Sequence, residues 1–361
     1  MRILILTQKV DKNDDVLGFF HAWLLEFARR CEKVIVVCLE KGEHDLPGNV
    51  KIFSLGKEKN SDTRGLKYGF VRILYVIRFM RYIVRFRNEH DVVFVHMNPE
   101  YVVLGGPLWK LWRKKIGLWY VHRQVNLKLR IAEKLAHVVF STTPEAFRLS
   151  SKKVHFLGHG VDFSHFTRKE TGVFHVPLRV LHVGRITPIK NLDILIDAAH
   201  LLLHKHYMRV SVKCIGKPAN SYDEEYFKKL KEKITHYNLG DSFSFIGSVP
   251  YQEIPRYYRE ADISVNLTPT GGMDKAVLES IASGTIALSA NRAFKELFGE
   301  YASVFLYNER NAEDTANKIM NIVNLNSQER REVEGYLYER ARTGFDLDTL
   351  IKRIVHELHN L

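Results

Sequence analysis

Short apolar runs alternate with segments of helical period along the whole chain. Residues 2–8 (RILILTQ), 33–40 (KVIVVCLE), 49–55 (NVKIFSL), 91–97 (DVVFVHM), 115–122 (KIGLWYVH), 137–142 (HVVFST) and 153–158 (KVHFLG) read as strands. A helix is predicted over 19–30, a long helical segment follows residue 55, and another helix opens near 100. Apolar strands separated by helices predict a doubly wound parallel sheet, buried on both faces. The alternation starts afresh after 166–178, a segment containing Gly172 and Pro177. Strands are expected at 180–183, 210–216, 242–249 and 262–269, and helices after Lys190, at 223–237, at 251–260 and from Asp274. A strand follows Gly284, and helical patterns close the chain at 312–324, 327–342 and 347–359. The expected fold class is α/β, with two doubly wound Rossmann-like domains. They cover 1–165 and 179–335, joined by a linker at 166–178. C-terminal helices at 336–361 pack back across the domains. A length of 361 residues with 45% apolar content can fill two cores.

Two stretches carry candidate chemistry. In 179–203 (RVLHVGRITPIKNLDILIDAAHLLL) an apolar run ends at Gly184-Arg185, a short turn brings Lys190, and a helix begins. Strand, glycine turn, two cations and a helix N-terminus is how an α/β protein builds an anion site. In 268–291 (TPTGGMDKAVLESIASGTIALSAN) a strand end leads through Gly271 and Gly272 to a helix starting near Asp274. Glycines there let backbone N–H groups approach a ligand, and the helix N-terminus points to the same place. Glu279 sits on that helix, and a carboxylate beside a nucleotide site accepts hydrogen bonds from ribose hydroxyls. Ordinary α/β proteins also carry glycine turns before helices, so the pairing of the two stretches carries the argument. In the first half, Gly18, Pro99 and His122 fall near strand carboxyl ends, where ligands of such sheets bind. A lone histidine is more often a packed or surface residue.

Charge changes the picture of the first half. The net charge is +13. Residues 1–165 hold 28 Lys and Arg against 16 Asp and Glu, so nearly all the excess lies there. The first half therefore faces an anionic partner: a phospholipid surface, a lipid-linked phosphate or a nucleic acid. Segment 64–87 has seven basic residues and no acidic one. At about 100° per residue, Lys67, Arg78, Arg81 and Arg85 fall in one stripe bordered by Tyr75, Phe79, Tyr82 and Phe86. Ile73, Val76, Met80, Ile83 and Val84 make the opposite face. This pattern fits an interfacial helix on anionic lipid, and equally a sheet-covering helix with solvated arginines. The cluster 109–115, with Trp109 and Trp112, adds to the interfacial reading. No nucleic-acid fold motif is present, so nucleic acid is not expected as a partner. Three cysteines without ligand spacing fit a reducing compartment and argue against a disulfide frame or a zinc site. The N-terminal run is too short for a signal peptide, and no transmembrane helix is expected. A cytoplasmic protein, peripheral on the inner face of the membrane, is the expectation.

Together these residues make the chain resemble the retaining, nucleotide-sugar-dependent glycosyltransferases of family 4 (group 1), with the GT-B architecture of two Rossmann-like domains facing a cleft. The family's Gly-Arg-x4-Lys matches Gly184, Arg185 and Lys190, with Asn191 where glycine is usual. Its linker motif matches Gly160, Val161, Asp162 and Phe166. Its segment before the nucleobase site matches Phe245, Ile246 and Gly247, followed by Ser248 and Val249. The later motif matches Glu279, Ala282, Ser283 and Gly284, with Ile286 replacing proline. Its first glutamate is absent: Gly271 holds that position, and Asp274 and Lys275 stand where glycine and an apolar residue are usual. His122 matches the family's histidine beside the reacting sugar, and Gly18 its first glycine loop.

The resemblance implies a hexosyltransferase that moves a sugar from a nucleoside-diphosphate sugar, UDP or GDP, to a glycan or lipid-linked acceptor with retention. Arg185 and Lys190 would stabilise the leaving diphosphate, and Glu279 would hold the ribose. The segments at 216–218 (from Gly216) and 247–249 would hold the base. His122 would position the donor sugar. Gly18, Gly184, Gly271, Gly272, Asp274 and Lys275 complete the donor site. Two cations and a helix dipole can do what a divalent metal does elsewhere, so neither metal nor cofactor is expected. The alternatives on the same fold are a sugar-nucleotide-binding protein and a sugar-nucleotide epimerase.

Overall fold

The computed structural model describes residues 1–59, 66–170 and 172–361. The chain divides into two units, Met1–Gly160 with Leu347–Leu361, and Val161–Asp346. The first runs β1 (Arg2–Val10), α1 (Phe19–Arg30), β2 (Lys33–Lys41), β3 (Val50–Ser54), α2 (Leu66–Arg85), β4 (Val92–His96), α3 (Pro99–Leu111), β5 (Lys115–Trp119), α4 (Leu127–Leu135), β6 (Val138–Ser141) and β7 (Val154–Phe156). The second runs β8 (Leu178–Val183), α5 (Leu192–His204), β9 (Val210–Ile215), α6 (Ser221–His236), β10 (Phe243–Gly247), α7 (Ile254–Glu260), β11 (Ile263–Asn266), α8 (Lys275–Ala282), β12 (Ile286–Ser289), α9 (Lys295–Phe298), α10 (Ala302–Phe305), α11 (Ala312–Val323) and α12 (Ser327–Phe345). Helix α13 (Leu347–His359) returns to the first unit.

Both sheets are parallel, with orders β3-β2-β1-β4-β5-β6-β7 and β10-β9-β8-β11-β12. The first unit shows why its strands read as unbroken apolar runs. Ile3 and Ile5 of β1 join one core layer with Val34 and Val36 of β2, while Leu4 and Leu6 join the other with Ile35 and Val37. Side chains alternate across the pleat, so a strand covered on both faces is apolar at every position. Helices α1 and α13 cover the first layer, and α2, α3 and α4 the second. In α13, Leu347, Leu350, Ile351, Ile354 and Leu358 form the buried stripe, at the spacing of one helix face.

The unit boundaries differ from the sequence reading. Segment 166–178 is part of the second unit. Phe166 is fully buried against Tyr251 and Tyr258. The Asp262 carboxylate accepts hydrogen bonds from the His175 and Arg179 backbone N–H groups at 3.2 and 2.8 Å. A segment tied down this way is a wall of the domain. Helix α12 also belongs to the second unit, so only α13 and the two residues after it return to the first.

Helix α2 also corrects the sequence reading. Phe79, Ile83 and Phe86 are buried under the sheet-facing side. Phe79 packs on Tyr101 and Trp109, with ring centroids 5.3 and 6.2 Å apart. The aromatic border assigned to a lipid surface is therefore core, as is Ile83 of the opposite face. Trp109 is fully buried and Trp112 half-buried against the same layer, so Trp109 is no surface anchor. Residues 64–65 and the Lys67 side chain lie outside the described residues.

Candidate functional site

The carboxyl edge of the second sheet gathers most of the residues singled out from the sequence. Three glycines tie the strand ends together. The Gly184 N–H donates to the Ile215 carbonyl at 3.0 Å, and the Gly216 N–H to the Gly247 carbonyl at 2.8 Å. Gly216 has φ +134°, and a Cβ there would stand 2.0 Å from the Gly184 oxygen. No side chain fits, so Gly216 is a packing glycine for the Gly184 turn. Ser248 is exposed just beyond β10, and Val249 is buried.

After Gly184, the exposed Arg185 leads into a single tight turn, Pro188–Lys190. Asn191 then takes a left-handed conformation, φ +46° and ψ +42°. Glycine and asparagine are the residues that tolerate this backbone, which explains asparagine at a position where the resemblance has glycine. The Asn191 amide donates to the Leu267 carbonyl at 3.0 Å and fixes the turn beside β11.

Lys190 points toward α8. Its ammonium donates to Thr268 Oγ1 at 3.0 Å and forms an ion pair with Asp274. The Asp274 carboxylate also accepts from Asn266 Nδ2 and Thr268 Oγ1, each at 3.0 Å. Burial alone would raise this carboxyl, but the Lys190 charge and the hydrogen bonds from Lys190, Asn266 and Thr268 hold it well below the usual range. Asp274 is the residue before the first turn of α8, yet its side chain makes no capping hydrogen bond. The N-terminus of α8, the positive end of its dipole, therefore lies beside the Lys190 cation, with the Val277 N–H donating to the Asp274 carbonyl at 3.2 Å.

One turn along α8, Glu279 is buried. It lies beside Lys275 and against the hydroxyls of Tyr251 and Tyr258. Burial raises the Glu279 carboxyl and lowers the Lys275 ammonium, while each charge opposes the other's shift. Gly271 and Gly272 are pinned by the fully buried Asn291. The Gly271 N–H donates to Asn291 Oδ1 at 3.3 Å, and Asn291 Nδ2 donates to the Gly272 carbonyl at 3.0 Å.

His182 completes the edge and was not singled out from the sequence. Burial, and then the Lys190 charge, push it down to about 4, so the ring is neutral. Its Nδ1–H donates to the Val265 carbonyl at 3.0 Å. Its Nε2 is buried with no hydrogen-bond partner among the described residues. A Cβ placed on Gly184 would lie 3.3 Å from this nitrogen and 3.7 Å from Lys190 Nζ. Asn266, Thr268 and Asn291 were missed too. Their signal was polar residues ending buried strands, at the place where ligands of parallel sheets bind.

Gly18 and His122 belong to the first unit. Gly18 precedes α1 with φ −54°, a backbone open to any residue, so the turn does not require glycine. His122 is exposed just past β5, and its Nδ1 accepts from the Gln124 N–H at 3.0 Å. Among the described residues, no group of three or more His, Cys, Asp and Glu is placed to hold a metal ion. The chain's Asp-x-Asp spacing, Asp346 and Asp348, sits at the α12–α13 junction, where Asp348 pairs with Arg30.

Comparison with known proteins shows what this edge is similar to. Residues 164–340 match the model of the glycosyl transferases group 1. Mannosylfructose-phosphate synthase of Agrobacterium fabrum is 26% identical over 183 residues, 45% of this chain and 40% of that protein. The amylovoran biosynthesis glycosyltransferase AmsK of Erwinia amylovora is 28% identical over 173 residues, 46% of this chain and 41% of that protein. The matches thus span less than half the length of these relatives. Among solved structures, Anabaena HepE in complex with UDP-glucose aligns with a TM-score of 0.75 over 100% of both chains, at 18% identity. Sucrose-phosphate synthase of Thermosynechococcus elongatus aligns with a TM-score of 0.76 over 100% of this chain and 99% of that one, at 14% identity. At such identities the likeness is one of fold. The chain therefore has the GT-B fold, and the part of it that matches the glycosyl transferases group 1 lies in the second unit, residues 164–340.

Proposed function

We propose that this chain is a hexosyltransferase that moves a sugar from a nucleoside-diphosphate sugar to a glycan or lipid-linked acceptor, with retention and without a metal, at the cytoplasmic face of a membrane. One observation carries the reading: Lys190 meets the N-terminus of α8 at the carboxyl edge of the second sheet, with Arg185 exposed at the head of the same turn. The donor class is supported by HepE of this fold, crystallised with UDP and with UDP-glucose. The transfer chemistry is supported by the glycosyltransferase names of the relatives.

In this reading the bond between the anomeric carbon and the β-phosphate oxygen breaks, and its electron pair leaves with the diphosphate. Arg185, Lys190 and the first N–H groups of α8 stabilise that charge. The acceptor oxygen bonds to the anomeric carbon on the face the leaving group vacates. Its proton passes to the departing phosphate oxygen. Glu279 takes the ribose hydroxyls, and the edge at Gly216 and Ser248 holds the base. His122 is assigned to the donor sugar by resemblance.

The test is acceptor-dependent release of nucleoside diphosphate. Arg185→Ala and Lys190→Ala should each lower turnover by about a hundredfold or more, the scale of losing one electrostatic stabiliser. A thermal melt separates lost chemistry from lost fold. Near-normal transfer in both variants overturns the assignment.

A further inference from the structure

Helix α2 carries basic residues and no acidic one. Its inner side is spent on the core through Phe79, Ile83 and Phe86. A second apolar set faces outward: Phe70, Ile73, Ile77 and Val84 expose 64%, 57%, 57% and 46% of their surface. Arg78, Arg81 and Arg85 are exposed as well. At about 100° per residue, Ile73, Val84, Ile77 and Phe70 form one contiguous strip, and Arg81, Arg85 and Arg78 the strip beside it. The buried residues lie on the other side of the helix.

Single exposed apolar residues are ordinary, but four side by side on one helix mark an interaction surface. The partner's chemistry follows from the neighbouring strip. Guanidinium groups beside a shallow apolar strip, with no carboxylate on the helix, match a layer with hydrocarbon below and phosphates above. The unit also holds nearly all of the chain's positive excess. No described helix is long and apolar enough to cross a membrane.

We propose that the outward face of α2 docks the chain on an anionic phospholipid bilayer. The strip of Phe70, Ile73, Ile77 and Val84 enters the acyl boundary, and Arg81 and Arg85 take the headgroup phosphates. Arg78 is partly committed, since its guanidinium donates to the Leu55 carbonyl at 2.6 Å. The flank of α2 lines a groove of about 510 Å³ that reaches Gln8 and Asn98, at the carboxyl ends of β1 and β4. Docking by α2 brings that edge to the headgroup layer, where a lipid-linked acceptor would arrive. This last consequence rests on the transfer reading, whereas the docking does not.

The experiment is sedimentation with vesicles of phosphatidylcholine, with and without about one third phosphatidylglycerol. The wild-type chain should pellet with the anionic vesicles only, and less so at high salt. Ile73→Ser with Ile77→Ser, and separately Arg81→Glu, should each weaken binding about fivefold or more. Tyr207→Ser, at an exposed aromatic in the other unit, should pellet as wild type does. All three changes are at exposed positions, so melting temperatures should stay within a few degrees of wild type, and UDP-induced thermal shifts should persist. Equal pelleting with neutral vesicles, no pelleting at all, or unchanged pelleting of both α2 variants overturns the proposal. Loss of the UDP shift in the wild-type chain would instead strike the transfer reading and leave the docking standing.

Discussion

Asp274 sets a condition on the anion site. In the free chain, the ammonium assigned to the diphosphate is already paired with a carboxylate that Asn266 and Thr268 hold in place. On the proposed reading a diphosphate competes with this internal anion, and a competent state populated only in part lowers apparent affinity by that fraction. Asp274→Asn should tighten UDP binding by about tenfold and lower thermal stability, because Lys190 loses its partner in a half-buried place. Calorimetric titration with UDP decides the matter, and an unchanged or weaker affinity would refute the competition. The two residues lie 84 positions apart, so no local pattern showed their contact. Asn191 was legible only as a departure from glycine. Its left-handed backbone shows that the departure keeps the turn.

At the scale of elements, β8 and β11 are joined near their carboxyl ends by the His182–Val265 hydrogen bond. Burial, and then the Lys190 charge, lower the His182 imidazole from the ordinary range to about 4. The unfolded chain therefore binds a proton that the folded chain refuses, and stability falls as pH drops through the unfolded value. Between about pH 7 and about pH 5 this amounts to about 2 kcal/mol. Denaturant midpoints should fall less over that interval in His182→Phe than in the wild type. Equal pH slopes would show that His182 is already protonated or not buried. The central strands of the first sheet were legible because they hold unbroken apolar runs, Ile3–Leu6 in β1 and Val34–Cys38 in β2. Helix α2 was legible as a helix but not in its facing. It carries two apolar arcs, one with Phe79, Ile83 and Phe86 and one with Phe70, Ile73, Ile77 and Val84. Periodicity cannot say which arc a sheet will cover, and both arcs hold a phenylalanine, so side-chain type does not separate them either.

The whole molecule has one continuous unit and one discontinuous unit. The sequence alternation revealed two domains but placed the return at residue 336, because α12 and α13 are both amphipathic and only tertiary contacts distinguish them. Helix α13 completes the first unit's core. Leu347, Leu350, Ile351, Ile354 and Leu358 are buried there with Trp23, Phe94 and Phe140. Gly117 leaves room for Leu358, since a Cβ on it would stand 2.6 Å from Leu358 Cδ2. Each such side chain contributes about 1.5–3 kcal/mol of burial, so together they rival the roughly 5–15 kcal/mol that holds a domain folded. Residues 1–160 alone should therefore lack a cooperative melt, and joining 347–361 after Gly160 through a short flexible linker should restore one. Residues 161–346 keep their whole core within one stretch of chain. They should melt cooperatively alone and shift on addition of UDP. A cooperative melt for residues 1–160 alone would show that α13 is an accessory. A folded 161–346 fragment blind to UDP would mean that donor binding needs residues of the first unit.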